Sequence, residues 1–200
     1  MEITSKMVKE LREMTNAGMM ECKKALVKAE GDVEAAVKIL REKGLSSAAK
    51  RAHKAANEGQ IFSYIHSNNR LGVIVELNCE TDFVAKTDEF QTLGRNLAMQ
   101  VAAAAPLVVK REEISEEVLD KEKEIFRNQA LQSGKPEKII DKIIEGKIEK
   151  FYSEIVLLEQ AFIKDDKVTI DELLRETIGK LGENMVIKRF ARFQLGEEAS

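Results

Sequence analysis

The chain contains no tryptophan, two tyrosines and eight phenylalanines in 200 residues, so Leu, Ile, Val, Ala and Met must fill whatever core it builds. Histidine is equally scarce, with only His53 and His66 present. Nucleophilic catalysis needs a nucleophile with an activating base nearby. No G-x-S-x-G elbow and no distinguished carboxylate pair accompanies the histidines, so a hydrolytic site lacks its constellation and no enzyme is expected. Two cysteines, Cys22 and Cys79, are too few for a disulfide scaffold in a chain this long, which makes the reducing cytosol its natural home and the cytoplasm the expected location. Neither lies in a Cys-x-x-Cys pair or beside an evident base, which argues against a thiol enzyme. Cys79, Glu80, Asp82 and Asp88 are close in sequence, with His66 across a hairpin, but the paired Cys/His spacing of a structural zinc site is missing. There is no G-x-x-x-x-G-K-[ST] and no G-x-G-x-x-G. No metal or cofactor is expected, and any action on a nucleotide must go through a partner. No 18-residue apolar run and no charged segment followed by an apolar stretch is present, so neither a signal peptide nor a membrane association is expected.

What is present is 44% hydrophobic and 34% charged residues, with a net charge of −3. That is apolar enough for a real core. Lys and Arg alternate with Glu and Asp almost everywhere, whereas nonspecific nucleic-acid binding needs clustered cations. Direct binding to nucleic acid is therefore not expected.

Residues 1–44 read as a module of three short helices. Ile3, Met7, Val8, Leu11 and Met14 recur at helical spacing. Thr15-Asn16-Ala17-Gly18 interrupts them, and Gly18 can supply positive φ there. Met19, Cys22, Leu26 and Ala29 make a second stripe. Asp32 can cap the third helix, whose stripe of Val33, Ala36, Val37 and Leu40 is closed by Gly44. Residues 45–58 are Ala-rich and basic, without large apolar side chains, and read as a partly helical linker. From Gly59 the period changes to two. Strands are expected over 60–66, 71–79 and 184–195, with Ser67-Asn68-Asn69-Arg70 as a hairpin turn. Between them Thr87 and Ser115 can cap helices, Pro136 suits a first helical turn, residues 147–163 read as helix or strand, with helix for the first half, and Thr169-x-x-Glu172 is a capping box. A hairpin, then helices, then a returning strand makes residues 59–200 an α+β core, a three-stranded antiparallel sheet packed with helices.

Two segments stand out, each with two readings. In Glu80-Thr81-Asp82-Phe83-Val84-Ala85-Lys86-Thr87, Phe83 lies among polar groups just ahead of a helix cap. It either tucks onto the helix as a local anchor, or projects beside Asp82 as an interface aromatic. In Ala17-Gly18-Met19-Met20, either Met19 enters the core and Met20 is exposed, or both methionines present a soft contact surface.

The run from Leu11 to Leu26, LREMTNAGMMECKKAL, and the run from Glu76 to Ala85, ELNCETDFVA, resemble the two signatures of the elongation factor Ts family, in the right order and spacing. The tail around Arg189-Phe190 and Arg192-Phe193 is similar as well, so the resemblance covers essentially the whole chain. It implies a ubiquitin-associated-like fold for the N-terminal module, docking through Asn16, Ala17, Gly18, Met19 and Met20 on the nucleotide-binding domain of elongation factor Tu. It implies that Thr81, Asp82, Phe83 and Val84 reach that GTPase near its Mg²⁺ and switch region, displacing Mg²⁺ so that GDP leaves and GTP binds. Asn16 stands where the family usually has Gly, and Glu21 where it usually has Asp. Longer members carry a second core subdomain and a coiled-coil protrusion; this chain lacks room for both and is similar to the short forms. Some of those work as dimers, which makes residues 59–200 a dimerisation domain as well and leaves a homodimer open. The alternative from a different class is a plain binding module, whose three-helix domain recognises another protein.

Overall fold

The computed structural model describes residues 3–15, 17–133 and 136–197. It is an α+β protein with a three-stranded antiparallel sheet and an N-terminal helical region. The chain divides into two units, each made of three segments. The first comprises Met1–Gln60, Asn78–Leu93 and Glu172–Val186; the second comprises Ile61–Leu77, Gly94–Asp171 and Ile187–Ser200.

The first unit opens with α1 (Ser5–Thr15), α2 (Met19–Lys28) and α3 (Val33–Arg51). Their apolar stripes bury Val8, Leu11, Cys22, Ala25, Leu26 and Ala36 in one small core, with Val33, Val37 and Leu40 packed against it. Asp32 caps α3, its carboxylate accepting from the Ala35 N–H at 3.1 Å. Gly18 does not adopt the positive φ expected of it. It is the N-cap of α2 at φ −60° and ψ 142°, an extended conformation open to any residue, and its carbonyl accepts from Glu21 and Cys22 N–H. The left-handed backbone falls instead at Glu30 (φ 52°) and Gly31 (φ 90°), between α2 and α3.

Gly44 does not close α3 either. The helix continues through it to Arg51, taking in half of the segment expected to be a linker. The cause lies in tertiary packing. α3 crosses α8 (Ile170–Leu181) so closely that a Cβ on Gly179 would come 2.7 Å from the Gly44 Cα. One turn before the crossing, Arg41 pairs with Glu172 at 3.0 Å and with Glu176 at 2.7 Å. Packing with α8 thus carries the helix through Gly44, the one poor helix former here, into a segment whose Ala, Lys and Arg residues favour helix.

The second unit holds most of the sheet, formed by β1 (Glu58–Ile65), β2 (Leu71–Cys79) and β5 (Met185–Gln194) in the order β1-β2-β5. The hairpin turns at Asn69, which takes φ 54° as an Asn can. α5 (Asp88–Ala104) lies against β1 at Gly94, where any Cβ would fall 2.2 Å from the Phe62 ring. α6 (Glu116–Gln132) and α7 (Glu137–Ile155) form a helical pair with its own core of Ala130, Ile140, Ile144 and Ile148. Ser115 caps α6 as expected, and Pro136 occupies the N-cap of α7 rather than its first turn.

Beyond Ile155 the chain forms a 3₁₀ turn and then the two-stranded hairpin of β3 (Ala161–Phe162) and β4 (Asp165–Thr169); β3 falls in the part of 147–163 that the sequence leaves open between helix and strand, while β4 and the pairing have no local signal. The anchor of the hairpin is a buried amide. Gln100 of α5 donates to the Gln160 Oε1 and the Ala161 carbonyl, both at 3.1 Å, and accepts from the Ile163 N–H at 2.9 Å. Arg111 stacks 4.0 Å above the Tyr152 ring and pairs with Glu149 and Glu159, which raises the affinity of the guanidinium for its proton still further. Among the described residues no helix is long and apolar enough to cross a membrane.

Candidate functional site

Both segments singled out in the sequence lie in the first unit. The first begins where α1 ends. The Thr15 hydroxyl donates to the Leu11 carbonyl at 2.7 Å, and the buried Cys22 thiol donates to the Ala17 carbonyl at 3.6 Å. The Ala17 N–H donates to the Thr15 hydroxyl at 3.4 Å and the Gly18 carbonyl accepts from α2, so the two residues are tied back to α1 and α2. Met19 and Met20 leave the surface from the first turn of α2, 47% and 62% exposed, and Met14 is exposed at the end of α1. Cys22 and Leu26 fill the core stripe, and Met19, placed with them by its spacing, faces out. Asn16 lies outside the described residues.

The second segment begins where β2 ends. Thr81, at φ −131° and ψ 155°, is the N-cap of α4 (Asp82–Ala85), a single turn. Its hydroxyl oxygen accepts from the Val84 N–H at 3.4 Å. Phe83 is 78% exposed, so it projects rather than tucking onto the helix. Val84 is half-buried, and Thr87 donates both N–H and hydroxyl to its carbonyl, at 3.0 and 2.8 Å. Thr87 also caps α5 by accepting from the Phe90 N–H at 3.3 Å. The Asp82 carboxylate takes a 2.6 Å bond from Lys86, whose ammonium also sits 5.9 Å from the Phe83 ring centre. That bond holds the Asp82 carboxyl below the usual carboxylate range.

Beneath this turn lies a reciprocal clasp of two chain segments. Glu183 accepts from the Thr81 N–H at 3.0 Å and from the Thr81 hydroxyl at 2.7 Å. In return, Glu80 accepts from the Asn184 N–H at 2.7 Å and from Lys54 at 3.2 Å. The Asn184 side-chain amide donates to the Lys54 carbonyl at 2.6 Å, and Arg51, at the end of α3, stands 3.9 Å from Glu80. The Asn184 and Lys54 donors depress the Glu80 pKa against a desolvation cost. The buried Cys79 thiol donates to the Thr81 carbonyl at 3.1 Å, and its pKa is raised, by burial first and by the negative charge of Glu183 second. A neutral, buried thiol is a poor nucleophile. The arrangement therefore holds one aromatic side chain out from the surface above a buried thiol kept protonated.

A family model described as Elongation factor TS matches residues 1–197. The chain belongs to the elongation factor Ts family. The chain is 58% identical over 195 residues to "Elongation factor Ts" of Heliobacterium modesticaldum, covering 98% of this chain and 91% of that one. It is 60% identical over 190 residues to "Elongation factor Ts" of Moorella thermoacetica (95% and 94% covered). It is 57% identical over 195 residues to the same-named protein of Caldanaerobacter subterraneus subsp. tengcongensis (98% of each). Its role is that of a translation elongation factor.

In this elongation factor Ts chain, sequence reasoning reached the exposed tip but not its support. Glu183 and Asn184 lie about one hundred residues beyond Thr81 and Glu80. The one local signal was Gly182, which ends α8 in the left-handed region at φ 74° and so turns Glu183 and Asn184 out of the helical path.

Proposed function

We propose that the chain is the guanine-nucleotide exchange factor of elongation factor Tu, and that it acts by binding the GDP·Mg²⁺ form of that GTPase, displacing Mg²⁺ and speeding GDP release so that GTP binds. The observation that carries this reading is Phe83, a large aromatic left 78% exposed on a turn whose N-cap residue, Thr81, is hydrogen-bonded from beneath by Glu183. Exposed aromatics on rigid supports are strong interface anchors. Phe83 wedges against helices of the partner, and Asp82 helps move its switch region. Mg²⁺ demands near-octahedral coordination, so a small displacement of its ligands is costly, and GDP is held through Mg²⁺ and phosphate-loop contacts. By linkage, a factor that prefers the nucleotide-free GTPase weakens nucleotide binding by the same factor. The chain itself carries out no chemical step and needs no cofactor. Ala17 to Met20 supply docking, with Met19 and Met20 as an adaptable surface.

The test is stopped-flow release of a fluorescent GDP analogue from elongation factor Tu, with and without this protein. Acceleration that saturates with its concentration is expected; unchanged release sinks the reading. Pairing of two copies is a second reading, favoured by the exposed side chains of Ile61, Ile65, Ile74 and Phe193 on the three strands. A monomer mass in sedimentation equilibrium at micromolar concentration counts against it.

A further inference from the structure

We infer that Glu183 is the positioning residue of the exchange loop: by accepting both donors of Thr81, its carboxylate fixes the direction in which Phe83 leaves the surface. The inference rests on the exchange reading above and adds to it the group that aims the wedge. α4 is four residues long, and a single turn has almost no helical stability of its own, because nucleation costs more than one bond returns. Its orientation is therefore set by whatever holds its N-cap.

Every polar group of Thr81 is committed. The N–H and the hydroxyl proton go to Glu183, at 3.0 and 2.7 Å. The carbonyl accepts from the Cys79 thiol at 3.1 Å and from the Ala85 N–H at 3.3 Å. The decisive member is the hydroxyl. An ionised carboxylate can only accept, so Glu183 obliges the Thr81 hydroxyl to donate to it. That leaves a lone pair of the same oxygen for the Val84 N–H, the cap bond of α4. Without the carboxylate the hydroxyl is free to rotate, the cap loses its preferred orientation, and the adjacent Phe83 loses its fixed direction. Glu183 is itself fixed, with Gly182 in the left-handed region before it and Asn184 after it bound to Glu80 and Lys54.

A side chain that merely staples the fold would, on removal, lower stability and partner affinity together. A positioning residue lowers the maximal rate at unchanged docking. The experiment uses the full chain and elongation factor Tu loaded with a fluorescent GDP analogue and Mg²⁺, and titrates wild type, Glu183→Ala, Glu183→Gln, Thr81→Val and the double variant Glu183→Ala/Thr81→Val. Glu183→Ala is expected to lower the saturated release rate about tenfold, in line with the cost of small misplacements at working sites, while the half-saturating concentration moves less than about twofold. Glu183→Gln keeps one acceptor oxygen and is expected to recover to within about threefold of wild type. The double variant is expected to lose less than the product of the two single losses, because both remove the same bond. A wild-type saturated rate in Glu183→Ala, or a rate and an affinity that fall in equal proportion, overturns the inference, as do multiplicative losses in the double variant. Where Glu183→Ala fails to fold, Glu183→Gln takes its place in the same cycle with Thr81→Val: losses of saturated rate that are less than multiplicative, at unmoved half-saturation, support the assignment, and multiplicative losses overturn it. A wild-type chain that leaves GDP release unchanged overturns the exchange reading itself, an outcome seen before any variant is compared.

Discussion

The two exposed apolar segments of the first unit are built alike in one respect and oppositely in another. Under each lies one of the two cysteines of the chain, buried and donating its thiol proton to a carbonyl of the segment: Cys22 to Ala17, and Cys79 to Thr81. Around the first, support comes from an apolar core of small helices, and the side chains presented are unbranched, rotatable methionines. Around the second, support comes from carboxylates, and the side chain presented is one stiff aromatic ring. A soft surface over a small core suits contact with a broad area. A rigid ring on a hydrogen-bonded turn suits pressure at one point. α3 connects them: its first half packs in the helical core, and its last residue, Arg51, reaches Glu80 of the clasp.

The difference can be broken at four places, in falling order of expected effect. Phe83→Ala removes the ring and little else. The saturated rate of GDP release from elongation factor Tu is expected to fall about thirtyfold, or about 2 kcal/mol of barrier, with affinity and melting temperature nearly unchanged. Normal release at saturating factor would show that the tip is not a wedge. Next, Gly179→Ala forces a Cβ to within 2.7 Å of the Gly44 Cα. A loss of about 1–3 kcal/mol of stability is expected, seen as a lower thermal midpoint, at about 2–4 °C per kcal/mol. Its mirror, Gly44→Ala, points into open space and is expected to stabilise by about 0.5–1 kcal/mol through helix propensity. Equal effects of the two would show that the helices do not cross at Gly179.

Third, Met20→Glu places a charge on the soft surface. The half-saturating concentration for release is expected to rise about tenfold while the saturated rate holds, the reverse of Phe83→Ala. Smallest is the response to pH. The folded pKa of Glu80 is lowered from its ordinary 4.5, so its contribution to stability is complete above about pH 4.5 and is lost as pH falls through the lower folded value. Glu80→Gln should flatten that part of the acid-unfolding curve; an unchanged curve would mean that the clasp does not depend on the charge.

What was legible in the sequence follows from the range of the forces. The caps at Asp32, Thr87 and Ser115 involve partners three residues away and were read correctly. So was the turn at Asn69, whose φ of 54° depends on the residue itself. Gly44 looked like a helix end because glycine commonly is one, and only α8, more than a hundred residues later, makes it the floor of a helix crossing. The β3–β4 hairpin went unseen because its strands are two and five residues long and are held by Gln100 from another element. In the candidate site, the motifs identified Thr81 to Val84 and the spacing placed them at the end of a strand. Whether Phe83 and the two methionines faced outward depended on neighbours that no local pattern encodes.

The placement of the two thiols gives each segment a built-in clock. A reagent that alkylates cysteine can reach Cys79 only after the Thr81 carbonyl has let go of it, and can reach Cys22 only after the turn at Ala17 has opened. The rates at which the two sulfurs are labelled therefore record, without any engineered probe, how often each segment leaves its resting position. Elongation factor Tu should slow the clock it covers.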